Sequence, residues 1–242
     1  SGTLVFAGAD YEAIIREAEK EADIILWDGG NNDMPFYKPD LSIVVADPHR
    51  PGHELSYYPG ETNLMMADAV VINKIDTADP KDVDTVRRNI QNVNPDAVVI
   101  EGASPITVEN SSLIEKKKVL VVEDGPTLTH GGMKIGAGMV AAKKFGAAEI
   151  VDPRPYLVGK LRETFNQYPN IGTLLPAMGY GSEQIKDLET TINNTECDVV
   201  IVGTPIDLRR IIDIKKPSVR VTYDLQETGS PTVTDILAPY IE

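Results

Sequence analysis

Short, continuous apolar runs separated by amphipathic stretches recur along this chain, and that alternation limits its folds more than any other feature. The runs lie at residues 3–7, 24–27, 41–46, 69–72, 97–100, 119–122, 199–202 and 219–222. Helical periodicity appears between them at 11–22, 80–93, 138–145, 182–193 and 207–212. A strand that is apolar on both sides has to be covered on both faces, which is the pattern of a parallel sheet with helical crossovers. The expected class is α/β with a mostly parallel sheet. Asp10 ahead of the first helix and Ser182 at the start of another supply the expected caps, with Glu12 and Glu183 in the first turns.

The net charge is −14 over 242 residues, with no basic stripe to offset it. A field of one sign repels nucleic acid and anionic membrane, so neither is an expected partner. No stretch approaches the ~18 apolar residues of a membrane span, and no signal-peptide layout is present. The single cysteine, Cys197, excludes an intramolecular disulfide, suits a cytoplasmic setting and precedes a buried run, where packing is its expected role. A polar break at 109–118, with Asn110, two serines and three lysines, divides the chain into expected regions 1–115 and 116–242.

In the first region, the run ending at Ile72 delivers Asn73-Lys74-Ile75-Asp76, an N-K-x-D sequence at the carboxyl end of a strand, where α/β proteins bind ligands. Asp76 can accept the two donors of a guanine edge, Lys74 can lie along the base, and Asn73 can brace the loop. Upstream, the run at 24–27 ends in Asp28-Gly29-Gly30. Asp28 there reads as the carboxylate that holds Mg²⁺ through water, and the glycines as close backbone neighbours of a γ-phosphate. The polar Asn31, Asn32 and Asp33 extend that site. No G-x-x-x-x-G-K-[ST] occurs anywhere, so the phosphate cradle is expected on residues ahead of Ser1, and the early run at 3–7 fits an artificial or proteolytic start.

In the second region, the run ending at Val122 leads into residues 123–134, a loop with Gly125, Thr127, Thr129, His130, Gly131, Gly132 and Lys134. Backbone N–H groups ahead of a helix favour an anion, so these residues are the expected substrate contacts, with His130 and Lys134 as catalytic candidates. His49 and His53 lie in a comparable loop and rank lower. Arg154, Thr204, Arg209 and Arg210 follow strands or enter helices, and their arginines can fork onto phosphate or pair with the abundant acidic residues.

These motifs resemble the cyclic 2,3-diphosphoglycerate synthetases and their GTPase-annotated relatives. The resemblance rests on residues 27–33, 47–54, 73–76, 123–133 and 203–210 and runs along essentially the whole chain. It implies a core of P-loop NTPase type followed by a second α/β region that holds substrate. It also implies a ligase in which ATP drives closure of an intramolecular phosphoanhydride in 2,3-diphosphoglycerate. Mg²⁺, ATP or GTP and a small anionic phosphometabolite are then the expected ligands, with a homo-oligomer compatible. Charge neutralisation would fall to Asp28 with its ion, the loop from Thr127 to Lys134, and Arg209 or Arg210. Two other readings stand beside it: a regulatory or chaperone-type GTPase, carried by N-K-x-D, and an inactive fragment that serves as an interaction module.

Overall fold

The structure, a computed structural model, describes residues 4–30, 33–129, 136–179 and 181–241. In chain order its regular elements begin with α1 (Tyr11–Ala18), β1 (Ile43–Ala46), α2 (Gly60–Met66), β2 (Ala69–Ile72), α3 (Pro80–Val93) and β3 (Val98–Ala103). They continue with β4 (Ile106–Val108), β5 (Lys118–Asp124), α4 (Gly125–Thr129), α5 (Ala137–Lys144), β6 (Glu149–Ile150), α6 (Lys160–Gln167) and β7 (Leu175–Ala177). The last are α7 (Ser182–Asn194), β8 (Val199–Val202), β9 (Ser218–Tyr223), β10 (Gln226–Glu227) and α8 (Val233–Ile241). The α/β class with predominantly parallel pairing is as expected.

Two compact units form. Unit 1 takes residues 1–104 and 225–242, and unit 2 takes 105–224. The second unit thus begins ahead of the polar break at 109–118, and the last segment returns to the first unit.

Unit 1 holds a four-stranded sheet in the order β1-β2-β3-β10, with β1, β2 and β3 parallel. β2 is buried at all four positions and α3 packs on it. The helix starts where it does because Asp79 accepts the Lys81 amide at 2.9 Å and Pro80 occupies the first turn. Val83, Val86 and Ile90, spaced three and four apart, are its buried stripe and join Leu64, Val70 and Ile72 in one core. Asp10 caps α1 as expected, accepting the Ala13 amide at 3.0 Å.

Unit 2 holds a six-stranded sheet in the order β4-β9-β8-β5-β6, with β7 pairing the carboxyl end of β5. Only β4 runs antiparallel to its neighbour. β8 is buried throughout, and β5 is buried from Val119 to Glu123. Cys197 packs against this core, where burial pushes its thiol up.

Four expectations change. Ser182 is the first residue of α7 and not its cap: Gly181 holds the N-cap position, with no side chain to bond the first amides. Residues 4–7 and 24–27 do not form strands. Val5 is 87% exposed and Leu26 84%, and neither run pairs with a strand among the described residues; apolar composition alone does not make a strand without a ladder partner. The expected helix at 207–212 shrinks to a 3₁₀ turn, Leu208–Arg210, capped by Asp207.

Candidate functional site

The carboxyl ends of β1, β2 and β3 form one edge of unit 1, since Ala46 pairs with Ile72 and Ile72 with Glu101. Asp47 leaves β1 at this edge, and Asn73 and Lys74 leave β2 beside it. The Asn73 amide donates to the Ala46 carbonyl at 3.0 Å and extends the ladder by one residue. Lys74 then turns through a left-handed backbone, φ 60°, a costly conformation for a residue with a Cβ and one that clusters at functional sites. Its Nζ donates to Asp47 Oδ2 at 3.0 Å, and Arg50 Nη2 donates to the same oxygen at 3.2 Å.

Burial works against the charge on Asp47, but Lys74, the His49 amide and Arg50 outweigh it and hold the carboxyl below its ordinary value. His49 Nε2 lies 2.9 Å from Thr77 Oγ1, which ties the β1 loop to the N-K-x-D loop a second time. Asp76 Oδ1 accepts the Ser104 amide at 2.9 Å, so one of its oxygens is committed to the end of β3. The structure therefore gathers Asn73, Lys74 and Asp76 on one edge. It adds Asp47 and Arg50, which sequence reasoning left as part of a histidine loop.

Asp28, Gly29 and Gly30 do not reach that edge on a strand. They sit in an exposed, irregular segment in which the Gly30 amide donates to Asp33 Oδ2 at 3.0 Å. Trp27 is held by aromatic contacts instead, at 5.3 Å from Tyr11 and 5.0 Å from Tyr37 between ring centres. Among the described residues no three His, Cys, Asp or Glu side chains gather as a metal site. Asn31 and Asn32 lie outside the described residues.

The second edge is that of unit 2, where β5, β7 and β8 end together. Glu123, the penultimate residue of β5, is 2% exposed. Its Oε1 accepts the Met139 amide at 2.9 Å, and the Gly138 amide also donates to the carboxyl. Desolvation outweighs these donors and pushes the carboxyl up to about 7, with Asp124 adding to the rise. Gly125 sits against β7 so closely that a Cβ there would lie 2.5 Å from the Ala177 carbonyl. Thr129 Oγ1 donates to the Gly125 carbonyl at 3.0 Å, which closes the short α4 on itself. Thr204 is buried and donates to the Ile206 carbonyl at 2.7 Å.

The arginines are mostly engaged. Arg209 donates to both oxygens of Glu109 at 2.8 Å and to both of Asp207 at 2.8 and 2.7 Å. Its fork holds both carboxyls below their ordinary values. Arg154 is clasped by Asp152, its partner two residues back. Arg210 is exposed on the same turn as Arg209. Arg220, on β9, donates to the Pro205 carbonyl at 2.9 Å, while its buried Nε has no partner among the described residues. No sequence signal marked Arg220, and Glu123 stood only as the first residue of the 123–134 loop without a role of its own; the structure puts it on β5, against neighbours from α5 and the end of β8. His130, Gly131, Gly132 and Lys134 lie outside the described residues, as does the side chain of Thr127.

Among the described residues no helix is long and apolar enough to cross a membrane. Comparison with known proteins shows what this chain is similar to. Residues 2–103 match the family model described as cyclic 2,3-diphosphoglycerate synthetase, P-loop domain. Arginine synthetase ArcE of Thermococcus kodakarensis is 66% identical over 236 residues, covering 98% of this chain and 53% of that protein. A cyclic 2,3-diphosphoglycerate synthetase of Thermococcus sibiricus is 28% identical over 114 residues, 46% of this chain and 26% of that protein. The chain spans about half the length of the first of these relatives and matches about a quarter of the second. Through residues 2–103 it belongs to the P-loop family of the cyclic 2,3-diphosphoglycerate synthetases.

Proposed function

We propose that this chain is the nucleotide-reading and acceptor-holding part of an ATP-dependent ligase of the arginine-forming kind. The observation that carries this reading is the 66% identity to an arginine synthetase through 98% of the chain, and so through both units. The chemistry of the second edge agrees. A bisphosphate needs several uncommitted cations, whereas Arg209 and Arg154 are occupied by carboxylates and the described acidic groups at this edge include Glu123 and Asp124. A neutral ureido group or a cationic guanidinium is better suited to it.

In such a ligase the γ-phosphoryl group passes to an oxygen of the acceptor. That oxygen then leaves as phosphate when a nitrogen nucleophile displaces it. The first edge supplies the nucleotide half. Lys74 and Arg50 carry positive charge at the carboxyl end of the sheet, and Asp76 keeps one oxygen beyond its Ser104 contact. Mg²⁺, when bound, would neutralise the phosphates, and Asp28 as a lone carboxylate suits an ion that keeps most of its waters. The phosphate cradle is then a segment of the longer protein, and the unpaired runs at 4–6 and 24–26 are surfaces on which its strand can pair.

The family model favours a second reading, closure of a phosphoanhydride in 2,3-diphosphoglycerate. One experiment separates the two. The full-length protein is incubated with ATP and Mg²⁺, with L-citrulline and ammonium in one arm and 2,3-diphosphoglycerate in the other. Mass spectrometry and phosphorus NMR follow the products. Arginine with stoichiometric phosphate is the expected result. A cyclic product in the second arm, or nucleotide hydrolysis with neither product, overturns it. In the same assay GTP is expected to support less turnover than ATP.

A further inference from the structure

Glu123 stands apart from every other acidic residue in the described chain because it is buried without a cation. The room it occupies is made by three glycines from two separate segments. A Cβ on Gly136 would lie 2.4 Å from Glu123 Oε2, one on Gly203 would lie 2.7 Å from the same atom, and one on Gly138 would lie 3.1 Å from Oε1. Those glycines bring the start of α5 and the end of β8 against the end of β5. The charged group that acts on Glu123 among the described residues is Asp124, of the same sign. The groups facing it from α5 and from the end of β8, Gly136, Gly138, Met139 and Gly203, do not ionise.

An apolar side chain of similar volume would fill this space at lower cost, since burying a carboxyl is unfavourable even when backbone amides satisfy it. Stability alone therefore gives no reason for a carboxyl here. What it does provide is a tie: amides two and three residues into the start of α5 are drawn to the rim where β5, β7 and β8 end. A carboxylate accepts such bonds more strongly than a neutral acid does.

We propose that Glu123 is a positioning residue of the second unit's site, holding the start of α5 to the carboxyl ends of β5 and β8 and relaxing that hold on protonation. The proposal deepens the ligase reading, on which it rests for placing the acceptor at this edge. Its carboxyl, pushed up to about 7, changes state in the neutral range.

The test uses Glu123→Gln, which keeps an oxygen for the Met139 amide and removes the ionisation. In the chain, the amide resonances of Gly138 and Met139 are expected to titrate together near neutral pH, and to stop titrating in the variant. In the full-length protein, with ATP, L-citrulline and ammonium, kcat is expected to fall about 100-fold, as for a displaced site, with the KM for ATP unchanged. The acid limb of the kcat profile should vanish. The variant should also resist urea at pH 8 at least as well as the parent. Amides that do not titrate in the parent overturn the proposal, as does an unchanged kcat and pH profile. A variant that loses stability at pH 8 along with activity also overturns it, because Glu123 is then a structural tether only. If the full-length protein forms no arginine, the ligase reading fails by itself, and the amide titration still decides the role of Glu123.

Discussion

The two carboxyl edges are built from the same kind of parallel sheet, yet they treat a carboxyl in opposite ways. In unit 1, Asp47 is half surrounded by Lys74 and Arg50 and is held in its charged form. In unit 2, Glu123 is more deeply buried, meets backbone amides instead of cations, and is pushed toward its neutral form. Under the proposed ligase reading the contrast separates two tasks: the edge where two cations share one carboxylate is assigned the triphosphate, and the edge whose acid is pushed up to about 7 is assigned the acceptor.

The largest expected effect comes from removing the acid of unit 2. Its folded value of about 7 lies above the unfolded value of 4.5. Between those values the unfolded chain releases a proton that the folded chain keeps, so stability falls as pH rises through the window and then levels off. The difference corresponds to an upper limit on the order of 3 kcal/mol. Urea melts of Glu123→Gln against the parent should agree near pH 4 and diverge in favour of the variant up to pH 8. A parallel pH dependence in both proteins would remove the contrast between the edges.

Next in size is the glycine cage itself. Gly203→Ala places a Cβ 2.7 Å from Glu123 Oε2 and 2.8 Å from the Gly138 amide nitrogen. Backbone cannot yield as a side-chain tip can, so the expected loss is about 2 kcal/mol. Gly102→Ala is the control. Its Cβ would meet Leu225 Cδ1 at 2.3 Å, the far end of a flexible side chain that can swing aside. A thermal melt that lowers both variants equally would show that the cage is no tighter than the rest of the fold.

Much of this architecture was legible because β2 and β8 are buried on both faces and so must be apolar throughout. The same rule misread 24–27, which is as apolar as β2, because composition does not say whether a neighbouring strand exists. β7 escaped notice because Pro176 interrupts a run of only three residues, and α6 because few of its residues are apolar. N-K-x-D was readable as a local string at a strand end. The cage around Glu123 was not, since Gly136, Gly138 and Gly203 become neighbours only after β5 and β8 pair. The arginines fell between: pairing with nearby acids was one of two open readings, and Arg209 took both Asp207 two residues before it and Glu109 one hundred residues away.

In unit 1, Asp47→Asn should cost about 1 kcal/mol, because Lys74 and Arg50 are each about a third exposed and water replaces part of what they lose. The sign with pH is opposite to that of Glu123. Asp47 is held below 3.8, so the difference between parent and variant is full above that value and disappears as pH falls through the folded value. Half a molar salt should shrink it as well.

The smallest effect sharpens the comparison within unit 2, between neighbouring arginines. Arg209 makes four charge-assisted contacts with its side chain about a third exposed, whereas Arg210 projects to solvent. Arg209→Lys keeps the charge but loses the fork, and solvent screening holds the expected cost to about 1 kcal/mol. Arg210→Ala should lie within about 0.5 kcal/mol of the parent. If Arg210→Ala leaves stability untouched yet weakens acceptor binding in the full-length protein, then Arg210 is the uncommitted cation of this edge and Arg209 its brace. If neither variant alters binding, acceptor recognition rests on the carboxyl side of the edge, around Glu123 and Asp124.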